Sequence, residues 1–160
     1  MNKSAIVTGG CLCGAVRYAI NKPVYDPHYC HCRTCQKASG APVIAGVFVL
    51  RKALEFTNGV PKLYRSSSIV ERGFCADCGT YVIYSPLIPE WLDWAIITIS
   101  SLDRPKDHPP QRHYGTESRI PWFDIDDDLP HERYEDGFLE VLADENHENR
   151  EAILNRFGTL

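Results

Sequence analysis

Apolar and polar positions along this chain repeat mostly with a period of two. Residues 15–20, Ala-Val-Arg-Tyr-Ala-Ile, alternate as a half-buried strand does. Residues 43–50 form a β-branched and aromatic run, and residues 54–56 a short strand after a turn. Residues 63–65 and 69–74 read as two strands around Ser66-Ser67-Ser68, and residues 81–84 and 95–100 complete the set. Asn58-Gly59-Val60-Pro61 is a turn signal, with Asn-Gly its strongest part. Helical patterning is confined to two places. One is a turn over residues 34–39 closed by Gly40; the other is residues 146–158, where Ile153, Leu154 and Phe157 would form an apolar stripe ending at Gly158. Residues 102–121 read as loop, broken by Pro105, Pro109 and Pro110. The pattern predicts an all-β domain with a short C-terminal helix.

Composition narrows the function classes. A chain of 160 residues can bury a real core as one domain. The formal charge is −4 and no basic cluster occurs, which argues against a nucleic-acid surface. No run approaches the roughly 18 apolar residues of a membrane span, and the N-terminus has no signal-peptide core. The expected setting is cytoplasmic, where thiols stay reduced, and the odd count of seven cysteines also speaks against a disulfide framework. Residues 124–148 are strongly acidic, with Arg133 the only Lys or Arg among them, and read as a solvated surface.

The cysteines carry the chemistry. All seven fall in three blocks: Cys11-Leu12-Cys13, then Cys30-His31-Cys32-Arg33-Thr34-Cys35, then Cys75-Ala76-Asp77-Cys78. Thiolates this close in sequence suit a tetrahedral zinc ion. Residues two apart in an extended segment share a face, so Cys11 and Cys13 can bind one ion together, as can Cys30 and Cys32. Zinc takes four ligands, and seven thiols divide most naturally as four plus three. Cys11, Cys13, Cys75 and Cys78 would close a structural site, while Cys30, Cys32 and Cys35 would grip a second ion with one position open. A rival division adds one thiol of another pair to the triple. His31, His28 or Asp77 could also complete the open site; His31 is expected to point away from the ligands, as a surface residue or one flanking them. The Cys75–Cys78 block should be the tip of a hairpin, with Gly79 at positive φ.

These blocks, with their flanks Gly10 to Tyr18, Cys30 to Pro42 and Arg72 to Thr80, closely resemble the GFA family. That family includes glutathione-dependent formaldehyde-activating enzyme and the similar domain of centromere protein V. Leu102-Asp103, His113-Tyr114 and Trp122 look like its weaker landmarks, and the likeness runs over roughly residues 5–130. The resemblance implies a β-tent fold of short antiparallel sheets with two zinc ions, held by the same four-plus-three sets. It places a zinc-binding domain at residues 1–136, leaving residues 137–160 as an extension, expected to be helical and packed on the same domain. It also implies a carbon–sulfur lyase that joins glutathione to formaldehyde as S-hydroxymethylglutathione, reversibly. Arg33, Lys37 or backbone N–H groups would offset the negative charge of the open site; no acid or base is assigned. The alternative is a non-catalytic zinc-stabilised module that binds glutathione or a protein partner.

Overall fold

The computed structural model describes residues 6–133. Its strands are β1 (Val7–Gly10), β2 (Arg17–Ile20), β3 (Tyr25–Cys30), β4 (Ile44–Leu50), β5 (Leu54–Asn58), β6 (Lys62–Ser67), β7 (Val70–Phe74), β8 (Tyr81–Pro86), β9 (Trp94–Thr98), β10 (His113–Tyr114) and β11 (His131–Glu132). The one α-helix among the described residues, α1, is Arg33–Ser39. The protein is therefore all-β, as the period-two pattern predicts. The expected C-terminal helix over residues 146–158 lies outside the described residues.

The chain forms two compact units. Among the described residues, one comprises residues 6–27 and Ala45–Pro109, and the other His28–Ile44 and residues 110–133. In the first unit, β1, β2 and β5 make an antiparallel three-stranded sheet, and β4, β9, β8, β7 and β6 pair antiparallel in that order. Register explains the core. Val47 stands opposite Ile97 and Val49 opposite Ala95, and all four are fully buried. Tyr18 and Ile20 of β2 alternate with half-buried Arg17 and Ala19 and join the same cluster, with Val82, Ile83 and Leu102. Burying each such Val, Ile or Leu contributes about 1.5–3 kcal/mol. Tyr18 keeps its hydroxyl satisfied by Ser101 Oγ at 2.7 Å.

Two features depart from local expectation. Asn58-Gly59 does not close a hairpin, because β5 pairs with β2 whereas β6 pairs with β7. The Asn58 amide instead donates to the carbonyls of Gly14 and Ala15, each at 3.2 Å, so the turn carries the chain between sheets. The second unit holds a short parallel ladder in which His113 is in register with Tyr29 on β3 and with His131 on β11.

Candidate metal centres

The four-cysteine cluster is built from two turns. Cys11 and Cys13 are brought together not by strand alternation, as the spacing suggests, but by a turn in which Gly14 N–H donates to Cys11 O at 3.1 Å. The other half is the β7–β8 tip, where Gly79 N–H donates to Cys75 O and Cys75 N–H to Thr80 O, both at 2.9 Å. Gly79 has φ 76, as expected of a glycine that ends such a turn. The four Sγ atoms lie within 4.8 Å of one another. Cys11 Sγ is 3.5 Å from Cys13 Sγ, which is 3.8 Å from Cys75 Sγ. Sulfurs about 2.3 Å from one tetrahedral ion sit about 3.8 Å apart, so the donor set fits zinc in size and softness.

Backbone and hydroxyl groups are already aimed at these sulfurs. Val16 N–H reaches Cys11 Sγ at 3.2 Å, and Thr80 Oγ1 lies 3.1 Å from Cys78 Sγ. The Thr80 hydroxyl and N–H, together with the backbone N–H of Cys13, bring the Cys78 thiol down to about 5. Cys13 is pushed up to about 12, because the influence of Ala15 N–H is outweighed by its thiol neighbours Cys11 and Cys78. Crowded thiols divide in this way because they cannot all ionise without a cation among them.

The three-cysteine cluster sits where β3 runs into α1. Cys30 ends the strand, Cys32 is the extended residue capping the helix, and Cys35 lies in its first turn. Cys30 Sγ is 3.4 Å from Cys32 Sγ, all three sulfurs lie within 4.8 Å of one another, and all three are buried. Cys30 donates to Cys32 and Cys35 and is driven well above the ordinary thiol value; Cys32, which accepts from both and from Thr34, is driven well below it. Among the described residues no His, Asp or Glu atom joins the three sulfurs within that distance. The seven sulfurs thus gather as one group of four and one of three.

The other candidates take different places. Asp77 is exposed, His28 is buried with its ring edge-on to Tyr114 at 5.0 Å, and neither joins a cluster. Lys37 is exposed, and the Arg33 guanidinium hydrogen-bonds Gln36 Oε1. His31 is not a surface residue: it is 1% exposed, with Nε2 at 2.8 Å from His113 Nδ1. Burial, together with the charges of His113, Arg119 and His131, brings His31 down to about 4, so it is neutral at neutral pH. Asp127, expected on a solvated surface, instead accepts from His113 Nε2 at 3.0 Å. Desolvation pushes its carboxyl up, but the His113 hydrogen bond and Leu129 N–H hold it below the ordinary carboxylate range. Sequence reasoning missed this contact because Asp127 stands in a run of acids and no local spacing ties it to His113.

Comparison with known proteins identifies the family of the chain. The sequence profile of the family described as glutathione-dependent formaldehyde-activating enzyme matches residues 6–118. A protein of Schizosaccharomyces pombe named an uncharacterized lyase is 33% identical over 79 residues, 48% of this chain and 56% of that protein. The chain thus spans little more than half the length of this relative. A putative glutathione-dependent formaldehyde-activating enzyme of Halomonas elongata is 27% identical over 131 residues, 76% of this chain and 82% of that one. A Rhodobacter sphaeroides protein of known crystal structure superposes with a TM-score of 0.49 at 20% identity, covering 60% of this chain and 87% of that chain. No helix among the described residues is long and apolar enough to cross a membrane. The matched stretch includes all seven cysteines of both clusters, and the chain belongs to the glutathione-dependent formaldehyde-activating enzyme family.

Proposed function

We propose that the protein is a zinc-dependent carbon–sulfur lyase acting on the adduct of glutathione, or a similar small thiol, with an aldehyde such as formaldehyde. The observation that carries this reading is a three-cysteine cluster with no fourth ligand in reach among the described residues, in a chain whose other cluster has all four. In this reading Cys11, Cys13, Cys75 and Cys78 hold a structural zinc ion. Cys30, Cys32 and Cys35 hold a second, with one position left for the incoming thiol. Zinc there would supply a Lewis acid that favours the thiolate form of that thiol.

The chain's own task is to manage charge. Three ionised sulfurs outweigh a divalent ion, so donors to them are needed before another sulfur can approach. The Thr34 hydroxyl, 3.4 Å from Cys32 Sγ, is one such donor. Burial of Cys30, Cys32 and Cys35 keeps water from competing. In the joining direction the thiol gives up its proton, its sulfur bonds to the aldehyde carbon as the carbonyl π bond opens, and the oxygen takes up a proton. In the lyase direction that hydroxyl proton leaves, the carbonyl re-forms, and the carbon–sulfur bond breaks with its electron pair going to sulfur, which departs as thiolate and is reprotonated.

Rates of formaldehyde consumption with glutathione test the proposal. Saturation in formaldehyde is expected, lost in Cys32→Ser while the circular dichroism spectrum is retained. Rates equal to those of glutathione alone would overturn turnover. The deep burial of the three thiols favours a second reading, a non-catalytic module that holds glutathione or a protein partner. It expects calorimetric binding of glutathione without rate enhancement. Both readings place the protein in the reducing cytoplasm, with residues 1–136 as a β-tent domain and residues 137–160 as an extension of it.

A further inference from the structure

His31, His113 and Asp127 form a hydrogen-bonded line that the proposed chemistry does not use. Asp127 Oδ1 and Oδ2 lie 3.0 and 3.3 Å from His113 Nε2, and His113 Nδ1 lies 2.8 Å from His31 Nε2. The His31 and His113 rings are within 21° of one plane, and both side chains are 1% exposed. An ionised carboxylate can only accept, so His113 carries its proton on Nε2. In neutral His113 the other nitrogen, Nδ1, then accepts, and His31 must donate from its own Nε2. That leaves His31 Nδ1 as a buried lone pair with no hydrogen-bond partner among the described residues.

His113, Asp127 and His131 also lie close enough for a metal ion, but ring orientation opposes one. The His113 and His131 rings stack at 4.4 Å with an 18° interplanar angle. Imidazole lone pairs lie in the ring plane, and two stacked, nearly parallel rings cannot both aim theirs at one ion. Hydrogen bonding, not metal binding, accounts for this cluster.

The line ends on the residue that joins two sulfur ligands. His31 is held at three points: its N–H donates to Tyr114 O at 2.9 Å, its carbonyl accepts from Gln36 Nε2 at 2.6 Å, and its side chain meets His113. Gln36 Nε2 also donates to Ser118 O at 3.0 Å. Fixing the His31 peptide and ring therefore fixes the spacing of Cys30 and Cys32 on either side.

We propose that Asp127 and His113 are positioning residues for the three-cysteine site. They lock His31 in its Nε2–H tautomer, with Nδ1 as a bare buried acceptor, and so hold Cys30 and Cys32 in ligand geometry. This rests on the reading of Cys30, Cys32 and Cys35 as a zinc site, but its first test does not depend on turnover.

Long-range proton–nitrogen correlation spectra of histidine-labelled, zinc-loaded protein report each ring nitrogen directly. Protons on His113 Nε2 and His31 Nε2, with His31 Nδ1 bare, are expected. A proton on His31 Nδ1, or protons on both nitrogens of His113, would overturn the lock. Asp127→Asn then tests the positioning. Leu129 N–H, 3.2 Å from Asp127 Oδ1, should retain the amide carbonyl and turn the NH2 group toward His113. The proton order along the line should reverse, and metal retention at the three-cysteine site should fall about 10- to 100-fold in competition with a chromophoric chelator. The four-cysteine site serves as the internal control and should be unchanged. Unaltered tautomers and retention in this variant would overturn the proposal. Absence of formaldehyde turnover in the wild type would defeat the proposed function alone, because neither readout measures it.

Discussion

Two sulfur clusters of the same chemistry do different things to the same chain. The four-cysteine cluster joins turns more than sixty residues apart, Cys13 to Cys75, and leaves Cys13 exposed. The three-cysteine cluster spans six residues and is buried throughout. By analogy with a covalent cross-link, tying ends some sixty residues apart removes about 4 kcal/mol of unfolded-state entropy, and a six-residue loop only about 2. With zinc bound as proposed, the four-cysteine cluster would constrain the first unit even though its Cys13 is exposed. The three-cysteine cluster is buried, yet an ion there would tie down little beyond its own strand end and helix start. Burial is thus a poor guide to which site shapes the fold; sequence separation is the better one.

Breaking the comparison starts with its strongest arm. Cys75→Ala should remove several kcal/mol from a total that is typically about 5–15, leaving a chain with no cooperative melt by circular dichroism. A melt close to wild type would mean that the hairpin does not depend on its metal. Cys32→Ser is the counterpart and should cost the fold less than about 2 kcal/mol, while elemental mass spectrometry falls from near two zinc ions per chain to near one. If it unfolds the chain, the two sites do not differ as argued.

Smaller changes sharpen the contrast. Gly115 has φ 66, and an added Cβ would stand 3.0 Å from Cys32 N and 3.3 Å from Cys32 Cβ. Gly115→Ala should therefore cost about 1–2 kcal/mol and speed loss of zinc from the three-cysteine site only, followed by chelator competition. The smallest effect belongs to the half-exposed Arg17–Asp103 pair at 2.6 Å, whose removal by Asp103→Asn should cost about 0.5 kcal/mol. Arg17, with the Thr8 hydroxyl, holds the Asp103 carboxyl below its ordinary 3.8. Its stabilisation is complete above that value and is lost as pH falls through the lower folded value. The gap between wild-type and variant melting temperatures should close over that acid window.

What the sequence makes legible follows from what is local. Residues 43–50, 81–84 and 95–100 read as strands because β-branched and aromatic side chains recur on buried faces, and β4, β8 and β9 lie there. The cysteine blocks are legible for the same reason, each being complete within a few residues. What escaped depends on distant partners. Val-Thr-Gly-Gly of β1 has weak strand character and forms against β2. In β3, Asp26 and Pro27 mask a strand whose later half lies beside β10. β10 and β11 are two residues each and exist only as pairings. The Asn58-Gly59 signal was read correctly as a turn, but strand partners decided what it joins. His31 and Asp127 were both expected at or near the surface, and both were reassigned by His113, a residue whose role no spacing announces.

The wide separation of the four-cysteine ligands also bears on the chain's birth. Synthesis runs from the N-terminus, so Cys11, Cys13, Cys30, Cys32 and Cys35 leave the ribosome well before Cys75 and Cys78. An ion met at that stage finds five thiols, and the first pair has only the wrong partners. The correct four can assemble only after β7 and β8 have emerged and turned. Under the proposed zinc assignment, an ion captured early on Cys11 and Cys13 would have to exchange partners before the four-cysteine set is complete.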